Sequence, residues 1–419
     1  MRSSDKTSYL IAIFATIVRY YDYALFGLSA SAIASNFMPG GGSSDKLLNF
    51  FIIFSVSVAA RPIGSIIFGR ISDKIGRVVS VRITTIISTL SVMMIAVLPS
   101  YETLGFLATI LLMLCRMLFI MSLAGEVDAI KVYIAEKIGK KSRHLASSVV
   151  SFSAQLGVLI AACMYHFTLT ITEITWLWRV NFVIGGMFGL LVFILRKSLH
   201  ESSYYIKSKL KNEDQGDLTL LKILAENRLK FILALLISGG VGTSYNFLII
   251  FLSTFVADIL GIIPPCEAAR NNIILIIVYA SSCLISGFLA DRMSVYKQIF
   301  ISLIIVVCLV FTIHLLSIDD IFSFPVHVVI VFFVPIYMIP IQIKLQSMFS
   351  ADIRVRMCSL AHSFGSMFLS STIPFICMLL WKYTENFSIV CLYFATIVSL
   401  IICSVFIMMK SGYRNMFET

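Results

Sequence analysis

The sequence predicts an all-α integral membrane fold, with twelve transmembrane helices arranged as two six-helix halves around a central cavity. Three observations carry that expectation: the apolar composition, the length of the apolar runs, and the alternation of basic connections along the chain. Hydrophobic residues make up 59% of the 419 residues and charged residues 13%, against roughly 45–50% and 25% in an ordinary globular chain. A water-soluble core cannot absorb that excess. A hydrocarbon layer about 30 Å thick needs about 20 apolar residues per helix, and such runs follow one another almost from end to end.

The runs cover 8–37, 47–70, 78–98, 103–126, 145–168, 177–195, 228–257, 271–290, 298–317, 325–346, 358–381 and 387–409. They are too long for strands, and lipid leaves the backbone groups of an open sheet edge unpaired, so each run is expected to be a helix. Lys and Arg crowd every second connection. The first such cluster holds Arg70, Lys74, Arg77 and Arg82, and the next holds Lys131, Lys137, Lys140, Lys141 and Arg143. A third runs from Arg196 to Lys230, while the alternate connections carry little beyond Lys46, Arg270 and Lys382. The basic side of a membrane protein is cytoplasmic, which puts both termini inside the plasma membrane, expected to be a bacterial inner membrane.

The same distribution removes nucleic acid as a partner, because the net charge of +11 is spread over membrane connections and forms no basic patch. The nine cysteines lie mostly within apolar runs and give neither a disulfide framework nor metal spacing. None of the six histidines pairs with another at metal-ligand spacing. His314 and Asp319 match the spacing of some membrane acyltransferases, with nothing around them to support it. Met1 to Ser8 contain no short apolar segment with a cleavage site, so span one is expected to stay in place.

The longest polar interruption divides the chain into an N-terminal half, 1–195, a cytoplasmic linker, 196–227, and a C-terminal half, 228–419. Internal similarity supports the division: Gly69, Asp73 and Lys74 in GRISDK recur as Gly287, Asp291 and Arg292 in GFLADR. Each copy follows the second span of its half. Two repeated halves with a binding site between them near the midplane make a transporter architecture.

Charges inside the spans mark candidate functional residues, because each is costly in lipid. Arg19 and Asp22 are three apart in span one and share a helix face, with Tyr23 adjoining it. They could neutralise each other as an internal pair, or Asp22 could be a gated carboxylate on the cavity. Arg61 in span two and Arg116 in span four each need a buried anion, either substrate or a structural partner such as Asp22, Glu126 or Asp128. Glu126, at the inner end of span four, could load and release a proton. Lys131 and Glu136 read as solvated loop charges. No Walker A loop suggests ATP drive.

RPIGSIIFGRISDKIGR, from Arg61 to Arg77, resembles the loop between spans two and three of the major facilitator superfamily, with its Gly, Asp, Gly and Arg at Gly69, Asp73, Gly76 and Arg77. Within that superfamily the chain resembles the metabolite:proton symporters, which include proline/betaine, ketoglutarate and shikimate carriers. YDYALFG at 21–27, the stretch from Arg116 to Glu126, Gln155 to Gly157, WLWRVNF at 176–182 and LHES at 199–202 extend the likeness over about half the chain. Arg19 stands where the family has a second acid. Phe119 and Ile120 replace a Gln-Gly pair, and Ser347 replaces an acid before the last inner loop.

The resemblance implies a secondary active transporter that takes up a small carboxylate-bearing metabolite, an osmolyte of the proline/betaine kind or an organic acid, with a proton. Asp22, Arg19, Tyr23, Arg61, Arg116 and Glu126 would serve substrate or proton coupling. Gly69, Asp73, Gly76, Arg77, Glu136, Asp291 and Arg292 would form a conformational latch, Asp73 meeting a facing helix N-terminus and Arg77 an acid such as Glu136. No cofactor, metal or catalytic residue is implied, and the expected partners are substrate, proton and the bilayer, around a monomer. Tyr20, Tyr21 and Tyr23 could face a quaternary ammonium. The alternative reading is a membrane sensor of such a ligand on the same fold, in which Arg19 has abolished coupling.

Overall fold

The computed structural model describes residues 3–75, 77–124, 143–171, 176–197, 220–315, 324–349 and 353–411. All regular structure in them is helical. Span one comprises Ser3–Leu28 and Ala30–Phe37, and span two Ser43–Ser57 and Ala60–Lys74. Spans three to six are Arg77–Val97, Phe106–Ala124, Arg143–Thr170 and Leu177–Arg196. Span seven begins as Arg228–Tyr245 and continues to Ile259 through two π-helical stretches, Asn246–Phe251 and Phe255–Ile259. Spans eight to ten are Pro265–Ala290, Val295–Leu315 and Phe324–Ser347. Span eleven joins Arg354–Gly365, the π-helical Ser366–Ser370 and Ile373–Thr384, and span twelve is Phe387–Lys410.

Among the described residues, eleven helices are long and apolar enough to cross a membrane, and span nine contributes a shorter apolar segment, Val295–Val310. The packing has the polarity that lipid imposes. Large apolar side chains such as Leu90, Val97, Phe106, Met187 and Ile194 are exposed on the outside, where hydrocarbon tails are as good a neighbour as another helix. Serine, threonine, arginine and glutamine are buried between the helices, where backbone carbonyls and hydroxyls can partner them.

Lipid supplies no hydrophobic force between helices, so small residues let backbones close up and gain dispersion contacts. A Cβ on Gly157 would run into the backbone of Ile17 and Tyr21, which fixes span five against span one. The matching contact in the C-terminal half joins span seven to span eleven, where Gly239 lies against the backbone of Gly365. The π-helical stretches carry an extra residue per turn, a local break that recurs at functional sites, and two of them, Asn246–Phe251 and Ser366–Ser370, border the space between the halves.

On the side of the bundle where span one ends, aromatic side chains and hydrogen bonds join the halves. Phe51 of span two meets Phe251 of span seven edge to face at 6.0 Å, and Ser55 Oγ donates to the Ser371 carbonyl at 2.6 Å. Farther out, Lys382 Nζ pairs with Asp45 at 2.8 Å.

Candidate functional site

Below that seal the two halves part around a cavity of about 1470 Å³, its open mouth included. Its wall takes residues from spans one, two, four, five, seven, eight, ten and eleven. The lining runs from the middle of the bundle toward the end that carries the start of span one, as Leu123, Ser151, Leu345 and Cys358 show.

Span one gives this cavity one of its faces. At about 100° per residue, Thr16, Tyr20 and Tyr23 fall on one side and line the cavity. Arg19 and Asp22 fall on the adjoining side. Arg19 Nη1 donates to Ser88 Oγ and Nη2 to Thr85 Oγ1 at 3.4 Å, both on span three. Asp22 packs against Gly185 of span six so tightly that a Cβ there would meet its Oδ1. Tyr21, between them, donates to the Asn181 carbonyl of span six at 2.9 Å. Asp22 is buried and its Oδ1 has no hydrogen-bond partner.

Arg116 is enclosed by aromatic rings. Its guanidinium carbon lies 4.3 Å from the ring centre of Phe26, 5.1 Å from Tyr23, 5.3 Å from Phe119 and 5.7 Å from Phe54. Nη2 makes a long hydrogen bond of 3.4 Å to the Tyr23 carbonyl. Such a cage holds a cation through ring quadrupoles, and it backs Tyr23 from behind the cavity wall.

Arg61 is differently placed. It lines the cavity, is 7% exposed, and reaches across to span eleven, with Nη1 3.4 Å from Ser366 Oγ and Nη2 3.5 Å from His362 Nδ1. Both contacts are long for hydrogen bonds, and Nε has no partner. Four other lining side chains hold a buried polar atom without a partner: Gln155 and Gln342 and Gln346 at Oε1, and Tyr245 at its hydroxyl. Unpartnered polar atoms are rare in folded chains because each forfeits its hydration. All five side chains line the same cavity.

At the end where span one begins, Asp291 closes spans eight and five together. Its carboxylate accepts from the backbone N–H of His144 at 3.2 Å and of Leu145 at 3.1 Å, and His144 Nδ1 lies 2.8 Å away. Both N–H groups belong to the first turn of span five, which has no intrahelical acceptor for them and where the helix dipole also favours an anion. Arg292 stacks its guanidinium 3.7 Å over the Phe288 ring. Gly69, Asp73 and Arg77 lie on the helices of spans two and three, but their side chains fall outside the described residues, as do Gly76, Glu126 and Glu136 entirely.

A model of the Major Facilitator Superfamily matches residues 12–374. The chain belongs to this superfamily. It is 28% identical over 280 residues to a citrate-proton symporter of Salmonella typhi, a match covering 65% of this chain and 63% of that one. A proline/betaine transporter of Escherichia coli K12 is 30% identical over 204 residues, 48% of this chain and 41% of the relative. The alpha-ketoglutarate permease of the same organism is 29% identical over 243 residues, 56% and 55%. In each case the chain spans less than two thirds of the relative's length. The crystal structure of a D-xylose-proton symporter superposes with a TM-score of 0.75 at 16% identity, covering 96% of this chain and 97% of that one. At that identity the likeness shows the fold.

Within this Major Facilitator chain, Tyr20, Tyr23 and Arg61 are among the sequence candidates that line the cavity; Arg19, Asp22 and Arg116 lie behind its wall. Sequence reasoning missed most of the C-terminal lining. The signal was present as spacing: Gln342 and Gln346, and His362, Ser366 and Ser370, recur four apart inside apolar runs. Polar residues at that interval share one helix face.

Proposed function

We propose that this integral membrane protein is a secondary transporter that takes up a small carboxylate-bearing metabolite together with a proton. The observation that carries the reading is Arg61, a buried guanidinium on the cavity wall with an unpartnered Nε and loosely held Nη atoms. A planar fork that stays protonated is suited to a carboxylate. The glutamine amides and the Tyr245 hydroxyl around it can donate to or accept from the rest of a polar ligand. The relatives named above are described as carrying citrate, proline or betaine, and ketoglutarate, all molecules with a carboxylate, and the first is described as a proton symporter.

In this reading the halves rock about the bound ligand. Asp291, by the sequence repeat Asp73, and by the family resemblance Arg77 latch the side of the linker, whose proposed limits are 196–227. That side is cytoplasmic, both termini face it, and the cavity opens inward. A phosphatase reporter fused after Thr419 is expected to be inactive, and an active one would reverse the orientation.

The test of function is uptake of labelled citrate, proline, betaine and 2-oxoglutarate into proteoliposomes. At least one is expected to accumulate faster when the outside is more acidic. R61K should weaken that uptake about tenfold, since it keeps the charge and loses the bidentate fork. Binding without flux for all four would turn the reading to a sensor.

A further inference from the structure

We propose that His362 carries the co-transported proton and that, with Arg61, it forms one composite site for a carboxylate and a proton at the junction of the halves. This rests on the transport reading above and names the groups through which its two cargoes meet.

Among the described residues, no aspartate or glutamate lines the cavity. Its ionisable side chains are Arg61, His362, Cys358 and the tyrosines Tyr20, Tyr23, Tyr245 and Tyr279. Of these side-chain types, imidazole is the one whose ordinary pKa lies nearest neutral. It gains and loses a proton in that range. Asp22 and its neighbour Arg19 lie behind the wall, against spans six and three.

Arg61 Nη2 is 3.5 Å from His362 Nδ1. A guanidinium only donates, so a hydrogen bond between the two requires Nδ1 to accept. A protonated imidazole there would set two positive charges side by side, which a low-dielectric cavity penalises. A carboxylate entering between them removes the penalty: it takes the hydrogen bonds of Arg61 and accepts a new one from the proton that water delivers to Nδ1. Anion and proton therefore bind better together than either does alone, and by linkage each raises the affinity for the other.

Arg61 belongs to span two and His362 to span eleven, one from each half. Any rocking of the halves changes their separation, so loaded and empty sites favour different arrangements. The other charges on elements packed against span eleven lie elsewhere. Arg356 is exposed on the same helix, and Lys344 sits 5.1 Å over the Tyr296 ring. Arg70, Arg228 and Lys230 stand near the ends of spans two and seven, and Asp45 is bound to Lys382 at the far end.

Betaine and 2-oxoglutarate keep their charge from mildly acidic to mildly alkaline pH, and serve as probes. Binding to the purified protein should take up a proton from weakly buffered solution and should tighten about tenfold as the pH falls through the imidazole range. H362Q should bind weakly without proton uptake and lose uphill accumulation. H362K, with a fixed charge, should bind tightly at every pH and also fail to accumulate. A merely structural histidine would make both variants weaker alike and leave the pH dependence in place. Proton uptake and uphill accumulation by a folded H362Q protein would overturn the assignment. If the unaltered protein binds neither probe nor citrate nor proline, the transport reading itself fails, and the composite site falls with it.

Discussion

Span one presents two faces that differ by one residue step and serve different purposes. Arg19 and Asp22 turn toward spans three and six, where hydroxyls and a glycine take them in. Thr16, Tyr20 and Tyr23 turn toward the cavity. The face with the formal charges is the packed one, and the face with neutral polar groups is the open one. An intramembrane charge is thus a sign of burial in protein, and whether it meets solvent or ligand depends on the neighbouring helix.

The sharpest way to break this comparison is to remove Arg19. R19A leaves the buried Asp22 carboxylate without one of the two cations whose charges act on it, and stripping a partner from a buried charge costs about 3–5 kcal/mol. Thermal unfolding in detergent should show that loss, with partial recovery in R19M/D22L; an unchanged midpoint for R19A would mean the packed face is not held by charge. Next comes the backbone contact behind the face. G157A should force spans five and one apart and cost about 1–3 kcal/mol, visible as a lower midpoint and as reduced yield. A neutral result would show that the helices can part without penalty.

On the open face the effects should appear in binding. Y20F and Q155A remove single polar groups from the cavity wall, each worth about 0.5–1.5 kcal/mol as a hydrogen bond to ligand. Affinity should drop accordingly with the unfolding midpoint unchanged, and the reverse pattern would exchange the roles of the two faces. The smallest effect is expected at the exposed pair between Lys382 and Asp45. K382A should leave stability and uptake unaltered at physiological salt, where exposed pairs are screened; slower uptake would promote the pair to a gate.

Much of the fold was legible because lipid is an undemanding solvent to read. Spans eight and ten, expected at 271–290 and 325–346, are Pro265–Ala290 and Phe324–Ser347, since the thickness of hydrocarbon alone sets their length. The interruptions were not legible. The break at Ser29, the two-residue step at Val58 and Ala59, and the π-helical stretches of spans seven and eleven leave the hydropathy of a whole span almost untouched, because most of the residues involved are apolar or small. They are local choices of hydrogen-bond register settled by the helices packed alongside.

The site divides in the same way. The sequence by itself determined that the chain is a bundle of membrane helices in two related halves, and that Arg19, Asp22, Arg61 and Arg116 must all be inside it, because free energy forbids them to lipid. Only the tertiary structure decided which of these four borders the cavity. Helical periodicity fixes the angle between two side chains on one helix but not the rotation of that helix about its own axis. That rotation was set by Gly157 and Gly185, which draw span one against spans five and six, and by span eleven, which brings His362 to Arg61 from 301 residues away.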